Sequence, residues 1–173
     1  MNAVLKGSTT RADGKIVVGV ADCAVANDSN AEIVTYALGS CIGVTAYDPV
    51  AKVGGMLHFM LPTALDETKG KEKPAMFGDT GVPLLFRSLY ALGAEKGRLI
   101  VCAAGGAEVL DDNGHFRVGP RNRTILRKLF WKNNILLSAD ETGGNISRTV
   151  RIDLADGAVT VRHRSKEWQI WPH

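Results

Sequence analysis

A cysteine and a histidine flank a predicted β-turn at a spacing suited to nucleophilic catalysis. The sequence Asp48-Pro49-Val50-Ala51 favours a type I turn, because Asp is preferred at the first position and Pro at the second. If Tyr47 pairs with Lys52 across this turn, Cys41 lies opposite His58 in an antiparallel pair, with Cβ atoms about 4.5 to 5.5 Å apart. The imidazole could then take the thiol proton, and an imidazolium beside the sulfur would lower the pKa of the cysteine.

The residues just before this cysteine are small. Gly39 and Ser40 leave room for a substrate carbonyl and for backbone N–H groups that could stabilise an oxyanion. A cysteine and a histidine in apolar strands are also common as inert core residues, and the predicted register alone leaves both interpretations open. The two other cysteines, Cys23 and Cys102, have no histidine at a predictable register, so an inert core position is favoured for each.

These residues lie within a pattern of short β-branched runs followed by alternating strands and helices, which predicts an α/β fold. Helices are predicted from Asp79 or Thr80 to Gly93 and over 121–132, with apolar side chains on one face of each. An exposed loop is predicted over 62–77, and a two-residue turn at Asp156-Gly157 closes a hairpin. The strands are predicted over 16–20, 32–36, 41–47, 53–61, 98–104, 135–139, 147–154 and 158–164.

Composition and length predict one globular domain without disulfide or metal support. The 173 residues suffice for an independent core, and a net charge of +3 gives no indication of nucleic-acid binding. Three widely spaced cysteines, no signal peptide and no apolar run of 18 residues predict a cytoplasmic protein without metal, cofactor or membrane insertion. We expect a mobile N-terminal tail over 1–14, the domain over 15–165, and a C-terminal tail of unknown role over 166–173.

Five separated stretches follow one another in an order that is typical of a known family. They are Thr35-Tyr-Ala-Leu-Gly-Ser-Cys41, Gly54-Gly-Met-Leu-His58-Phe-Met-Leu-Pro62, Gly105-Gly-Ala107, Gly119-Pro-Arg-Asn122 and Asp140-Glu-Thr-Gly-Gly-Asn145. Together they resemble the CheD family of bacterial chemoreceptor glutamine deamidases, over a span from about Ile16 to Arg164.

The resemblance implies a cysteine hydrolase that converts glutamines of methyl-accepting chemotaxis receptors to glutamates and releases ammonia. It implies that Cys41 is the nucleophile, His58 the general base and acid, and Thr35 the residue that orients the imidazole. It also implies a single-domain three-layer α/β fold, with largely antiparallel sheets flanked by two helices, and binding of the phosphatase CheC over the active site. The alternative, from a different class, is a catalytically idle adaptor that binds the receptor or CheC.

Overall fold

The computed structural model describes residues 9–10, 13–108 and 117–173, which form a mixed α/β domain with two sheets and three helices. The helices are α1 (Glu67–Glu72), α2 (Gly78–Ala91) and α3 (Val118–Lys132). The strands are β1 (Thr9–Thr10), β2 (Lys15–Val17), β3 (Asp22–Ala26), β4 (Glu32–Leu38), β5 (Ile42–Asp48), β6 (Val53–Phe59), β7 (Ile100–Gly105), β8 (Ala139–Thr142), β9 (Arg148–Asp153), β10 (Val159–His163) and β11 (Lys166–Trp171).

The strands are shared between a six-stranded sheet, here sheet A, and a five-stranded sheet, here sheet B. Sheet A has the order β1-β2-β4-β9-β10-β11, and sheet B has the order β3-β6-β5-β7-β8. Most pairs are antiparallel, and the parallel pairs are β2 with β4 and β7 with β8. No helix in the described part of the chain is long and apolar enough to cross a membrane.

Side-chain alternation along the strands divides the core into two clusters. Ile33 and Val150 of sheet A pack with Met56 of sheet B in the first cluster. The second cluster joins the opposite face of sheet B, including Leu57, to α2 and α3. Because alternate residues of a strand face opposite sides, His58 lies on the face of β6 that also carries Met56 and is turned towards sheet A.

The β5–β6 hairpin forms as predicted, but its register differs from the expected one. Asp48 pairs with Val53, and His58 therefore lies opposite Gly43 and not opposite Cys41. The Asp48 carboxylate accepts the backbone N–H groups of Val50 and Ala51 at 2.9 and 3.0 Å, which tightens the start of the turn. Lys52 then adopts a left-handed conformation with φ of +55°, so the strand pairing resumes one residue later than predicted.

Three segments were assigned wrongly from the sequence. The predicted loop over 62–77 contains α1 and a 3₁₀ turn at Pro74–Met76. Of the strand predicted over 135–139, only Ala139 lies in a strand, as the first residue of β8. The Asp153 N–H donates to the Ala158 carbonyl, so the residues over 154–157 all lie in the connection between the two strands. The predicted two-residue turn is therefore a longer loop.

Both ends of the predicted domain are extended by strand pairing. Lys166–Trp171, predicted as a tail, forms the edge strand β11 and packs Ile170 and two tryptophans against the core between the sheets. Of the predicted N-terminal tail, residues 1–8 and 11–12 lie outside the described residues, while Thr9–Thr10 pair with β2. Strand β3 was missed because Asp22-Cys-Ala-Val-Ala26 has few of the β-branched residues that mark strands.

Candidate active site

A hydrogen bond between the two sheets joins Thr35 of β4 to His58 of β6. The Thr35 Oγ1 atom lies 2.7 Å from His58 Nδ1 and 2.7 Å from the carbonyl oxygen of Val18. A hydroxyl has a single proton, and the Val18 carbonyl can only accept, so the Thr35 hydroxyl donates to Val18 and accepts from Nδ1–H. The neutral imidazole is therefore held with its proton on Nδ1, and Nε2 is left with a free lone pair.

The His58 ring is fully buried, and its Nε2 atom has no hydrogen-bond partner among the residues that the structure describes. Burial lowers the pKa of His58 to about 4, because the charged ring would lose its hydration. The resting imidazole is neutral, and Nε2 is able to accept a proton. An unpartnered buried acceptor is costly and is often found at functional positions.

Cys41 lies diagonally from His58, one residue before the start of β5. Ile42 pairs with Phe59 and Gly43 with His58, so Cys41 is displaced by two positions from the residue opposite the histidine. Diagonal neighbours have Cβ atoms up to about 7 to 8 Å apart, which long or aromatic side chains can span. The opposed position is Gly43, which has no side chain of its own, and the side chains of Leu38 and Thr35 pack over it: a Cβ atom there would lie 2.9 Å from Leu38 Cδ1 and 3.7 Å from Thr35 Cγ2.

The thiol is half-buried and neutral at rest. Burial raises the pKa of Cys41, and the backbone N–H of the same residue offsets this only in part. Because Nε2 has no partner, the thiol is not hydrogen-bonded to the imidazole in this structure. Desolvation thus opposes the charged form of both groups, which does not support the expectation that an imidazolium lowers the pKa of Cys41 at rest.

The segment Gly39–Cys41, here the nucleophile loop, is fixed through three consecutive carbonyl groups. The Gly39 carbonyl accepts the Ala107 N–H at 2.9 Å, and the Cys41 carbonyl accepts the Gly106 N–H at 2.7 Å. The Ser40 carbonyl accepts the Asn122 side-chain amide at 2.9 Å. Each of these donors lies outside the hairpin.

Asn122 is a site residue that sequence reasoning did not single out. Its fully buried side chain donates to the carbonyls of Ser40 and Met60, both at 2.9 Å. It thus joins the nucleophile loop to the chain just beyond His58. A buried asparagine within an amphipathic helix was the available signal, since buried amides are usually fully hydrogen-bonded.

The anchored carbonyls determine where the amide hydrogens of the nucleophile loop point. In a planar trans peptide, the C=O group and the following N–H point in opposite directions. The N–H groups of Ser40 and Cys41 therefore point away from the Ala107 and Asn122 anchors. Within the described chain, neither N–H donates to another residue. Of the segment Gly39 and Ser40 that was predicted near an oxyanion site, Ser40 thus has an N–H beside the thiol without an acceptor in the described chain, and the Cys41 N–H is directed towards its own sulfur.

A β-bulge in β4 lies between Thr35 and the nucleophile loop. Thr35 pairs with Val150 and Leu38 with Arg148, so β4 has an extra residue between these pairs. Ala37 has φ of +56°, an uncommon conformation for a residue with a side chain, and Tyr36 is exposed. Because of the extra residue, the side chains of both Thr35 and Leu38 are buried in the interior.

The two remaining cysteines are core residues. Cys23 and Cys102 are each 1% exposed, and burial raises their pKa values to about 12 and about 11. The described residues contain no group of three or more His, Cys, Asp or Glu side chains that could hold a metal ion.

Comparison with known proteins places the chain in one family. The family model described as CheD chemotactic sensory transduction matches residues 60–163. A probable chemoreceptor glutamine deamidase CheD 1 of Syntrophus aciditrophicus is 51% identical over 150 residues, which cover 86% of this chain and 94% of the relative. The chain belongs to the CheD family. A probable chemoreceptor glutamine deamidase CheD of Solibacter usitatus is 46% identical, over 91% of this chain and 94% of its own.

Similarity to CheD proteins extends to an archaeon, since a relative from Pyrococcus horikoshii is 40% identical over 86% of this chain. The match to the CheD family model begins two residues after His58. The roles of Thr35, Cys41 and His58 therefore depend on the geometry described above and not on that match.

Proposed function

We propose that this protein is a chemoreceptor glutamine deamidase, in which Cys41 attacks the side-chain amide with His58 as base and acid. The observation that carries the proposal is the Thr35–His58 hydrogen bond, which leaves Nε2 free to accept a proton on the face of β6 nearest the cysteine. The names of the CheD relatives, each a probable chemoreceptor glutamine deamidase, support the same reaction.

In the first half of the reaction, the Cys41 sulfur attacks the glutamine Cδ atom while the thiol proton moves to His58 Nε2. The resulting tetrahedral intermediate has a negative oxygen, for which the N–H groups of Ser40 and Cys41 are the available donors. The Nε2 proton then passes to the departing nitrogen, the C–N bond breaks, and ammonia leaves behind a thioester. A buried imidazolium with a pKa of about 4 is a strong acid, which favours this second transfer.

In the second half, His58 Nε2 accepts a proton from a water molecule that attacks the thioester carbon. The C–S bond breaks, the sulfur regains the proton from the imidazolium, and glutamate is released. All proton movements use Nε2, because Nδ1–H is held by Thr35 throughout. The chain needs no group beyond Cys41, His58 and water for this sequence.

The substrate proposed here is a helix of the receptor cytoplasmic region, and CheC is proposed as a partner at the same site. A glutamine on an intact helix can enter a narrow site without unfolding of the helix. We further infer a three-layer arrangement, in which sheet B lies between sheet A on one side and the helices α2 and α3 on the other. The two core clusters, one shared by both sheets and one shared by sheet B and the helices, support this arrangement.

Intact-mass analysis of a purified receptor cytoplasmic fragment tests the proposed function. Deamidation adds about one dalton for each glutamine without cleavage of the chain, since OH replaces NH₂. We expect this mass gain and equimolar ammonia with the native protein, and neither with Cys41→Ala. An adaptor would bind the fragment without a mass change, and a thiol protease would cleave it.

A further inference from the structure

Two arginine side chains lie beside the glycine pair Gly143–Gly144 without the partners that a buried cation normally has. Arg148 is 6% exposed, and its only hydrogen bond to a described residue is from Nη1 to the Ile146 carbonyl at 3.1 Å. The Nε atoms of Arg148 and Arg123 are both buried and have no partner. Within the described residues, neither arginine forms an ion pair within 4 Å, although buried charges are usually paired.

The two glycines leave space for these guanidinium groups. A Cβ atom on Gly143 would lie 2.9 Å from Arg123 Nη1, and one on Gly144 would lie 3.6 Å from Arg148 Nη2. Both glycines have positive φ, and Gly144 is exposed. An exposed residue without a side chain therefore lies against the Arg148 guanidinium.

This cationic pair is connected to the nucleophile loop. The Gly143 N–H donates to the Gly105 carbonyl at 2.8 Å, and the next residue, Gly106, donates to the Cys41 carbonyl. Arg148 pairs across sheet A with Leu38, which is three residues before the nucleophile. Both arginines thus approach the end of the domain at which Cys41 lies.

We propose that Arg148, assisted by Arg123, binds a carboxylate side chain of the substrate protein close to the reacting glutamine. A guanidinium forms two parallel hydrogen bonds with a carboxylate, and an unpaired buried guanidinium is stabilised by such a partner. Burial lowers the pKa of Arg148 and the charge of Glu141 opposes this, but no ion pair within 4 Å joins Arg148 to Glu141. The inference rests on the proposed function and adds a specificity determinant: the modified glutamines have an acidic neighbour.

The test compares two receptor fragments and three protein variants. Peptide mapping of the native reaction first identifies the modified glutamine, and the acidic residues within four positions of it are then replaced by Ala in a second fragment. Arg148→Gln removes the proposed contact, and Arg148→Lys retains the charge without the planar fork. The control is Arg162→Gln. Arg162 is an exposed arginine on the neighbouring strand β10, so this variant removes one positive charge from sheet A away from the proposed contact.

With the native fragment, we expect Arg148→Gln to lower kcat/KM about 10- to 100-fold and Arg148→Lys to lower it less. With the fragment lacking acidic neighbours, the native protein should be slow by a similar factor, and neither Arg148 variant should slow it further. Arg162→Gln should match the native protein on both fragments. Calorimetry with the inactive Cys41→Ala variant should show that the second fragment binds more weakly than the native fragment. With the double variant Cys41→Ala/Arg148→Gln, both fragments should bind equally weakly.

An equal loss on both fragments would overturn the inference, because it would mean that Arg148 only supports the fold. An unchanged kcat/KM for Arg148→Gln would overturn it as well. If Arg148→Gln does not fold, the same comparison with Arg148→Lys decides between these outcomes. Failure of the proposed function is separate, since it would appear as no mass gain by the native protein on any fragment.

Discussion

Replacement of Thr35 by Val tests the most specific part of the site, because valine keeps the shape of threonine and removes only its hydroxyl. Two hydrogen bonds of 2.7 Å are lost, and both the Val18 carbonyl and His58 Nδ1–H are left unpaired in a buried position. One unsatisfied buried group costs about 1 to 3 kcal/mol. The loss of the partner of the Val18 carbonyl alone should therefore lower the free energy of unfolding by about 1 to 3 kcal/mol.

The effect of Thr35→Val on catalysis follows from the tautomer. Without an acceptor at Nδ1, the proton can move to Nε2, where it blocks the base. If holding the tautomer is worth one hydrogen bond, about 1 to 3 kcal/mol, the rate of deamidation should fall roughly 5- to 150-fold. His58→Ala and Cys41→Ala remove the base and the nucleophile themselves and should abolish turnover.

Ammonia release under single-turnover conditions, with thermal unfolding followed in parallel, provides the assay. The matched control is Thr45→Val, since Thr45 is a buried threonine of β5 whose hydroxyl lies beside the Cys102 thiol and has no nitrogen or oxygen partner among the described residues. The control should retain the native rate and lose little stability. Two results would refute the reasoning: a native rate for Thr35→Val, or an active His58→Ala together with an inactive Thr35→Val.

Three further predictions concern the histidine, the cysteines and the asparagine of the site. His58 has a folded pKa of about 4, below its ordinary value of 6.5, so its contribution to stability is complete above pH 6.5 and is lost as the pH falls to 4. The native protein should therefore lose about 3 kcal/mol more than His58→Gln over this range in urea titrations, and parallel curves would contradict the pKa. Iodoacetamide with peptide mapping should modify Cys41 well before the two core cysteines, because only Cys41 is partly exposed, and equal labelling would count against the site. Asn122→Ala should lower the free energy of unfolding by about 2 kcal/mol or more and slow deamidation, since the Ser40 carbonyl loses its donor, whereas Asn133→Ala at an exposed amide should do neither.

Much of the fold could be predicted from local sequence patterns. The amphipathic face of α2 and the short apolar runs of β5 and β6 are set by residues close together in the chain. Strand β3 depends on a distant partner, because it pairs with β6 and its own residues have little intrinsic preference for a strand. Strand β11 was missed although its partner is near: it pairs with β10 across a short turn at 164–165, and Trp168, Ile170 and Trp171 are residues that favour strands.

The site was predictable to a different degree for each of its residues. The error of two positions in register kept Cys41 and His58 on one face, because side-chain direction along a strand has a period of two. No local pattern distinguishes Thr35 from other strand threonines, since its partner lies 23 residues away on the other sheet. Asn122 was missed for the same reason, because its two acceptors lie 82 and 62 residues away.

The bulge in β4 has a consequence for insertions and deletions. Thr35 is held by β9 and by His58, and the carbonyls from Gly39 to Cys41 are held by three separate donors, so both ends of this short segment are fixed in space. Between them, Tyr36 and Ala37 are exposed and make the extra length that joins one end to the other. Exposed loops usually tolerate a change of length, but a single-residue deletion here would pull either Thr35 or Cys41 out of place. The six-residue separation of Thr35 and Cys41 is thus a fixed dimension of the enzyme, although the residues that supply it are on its surface.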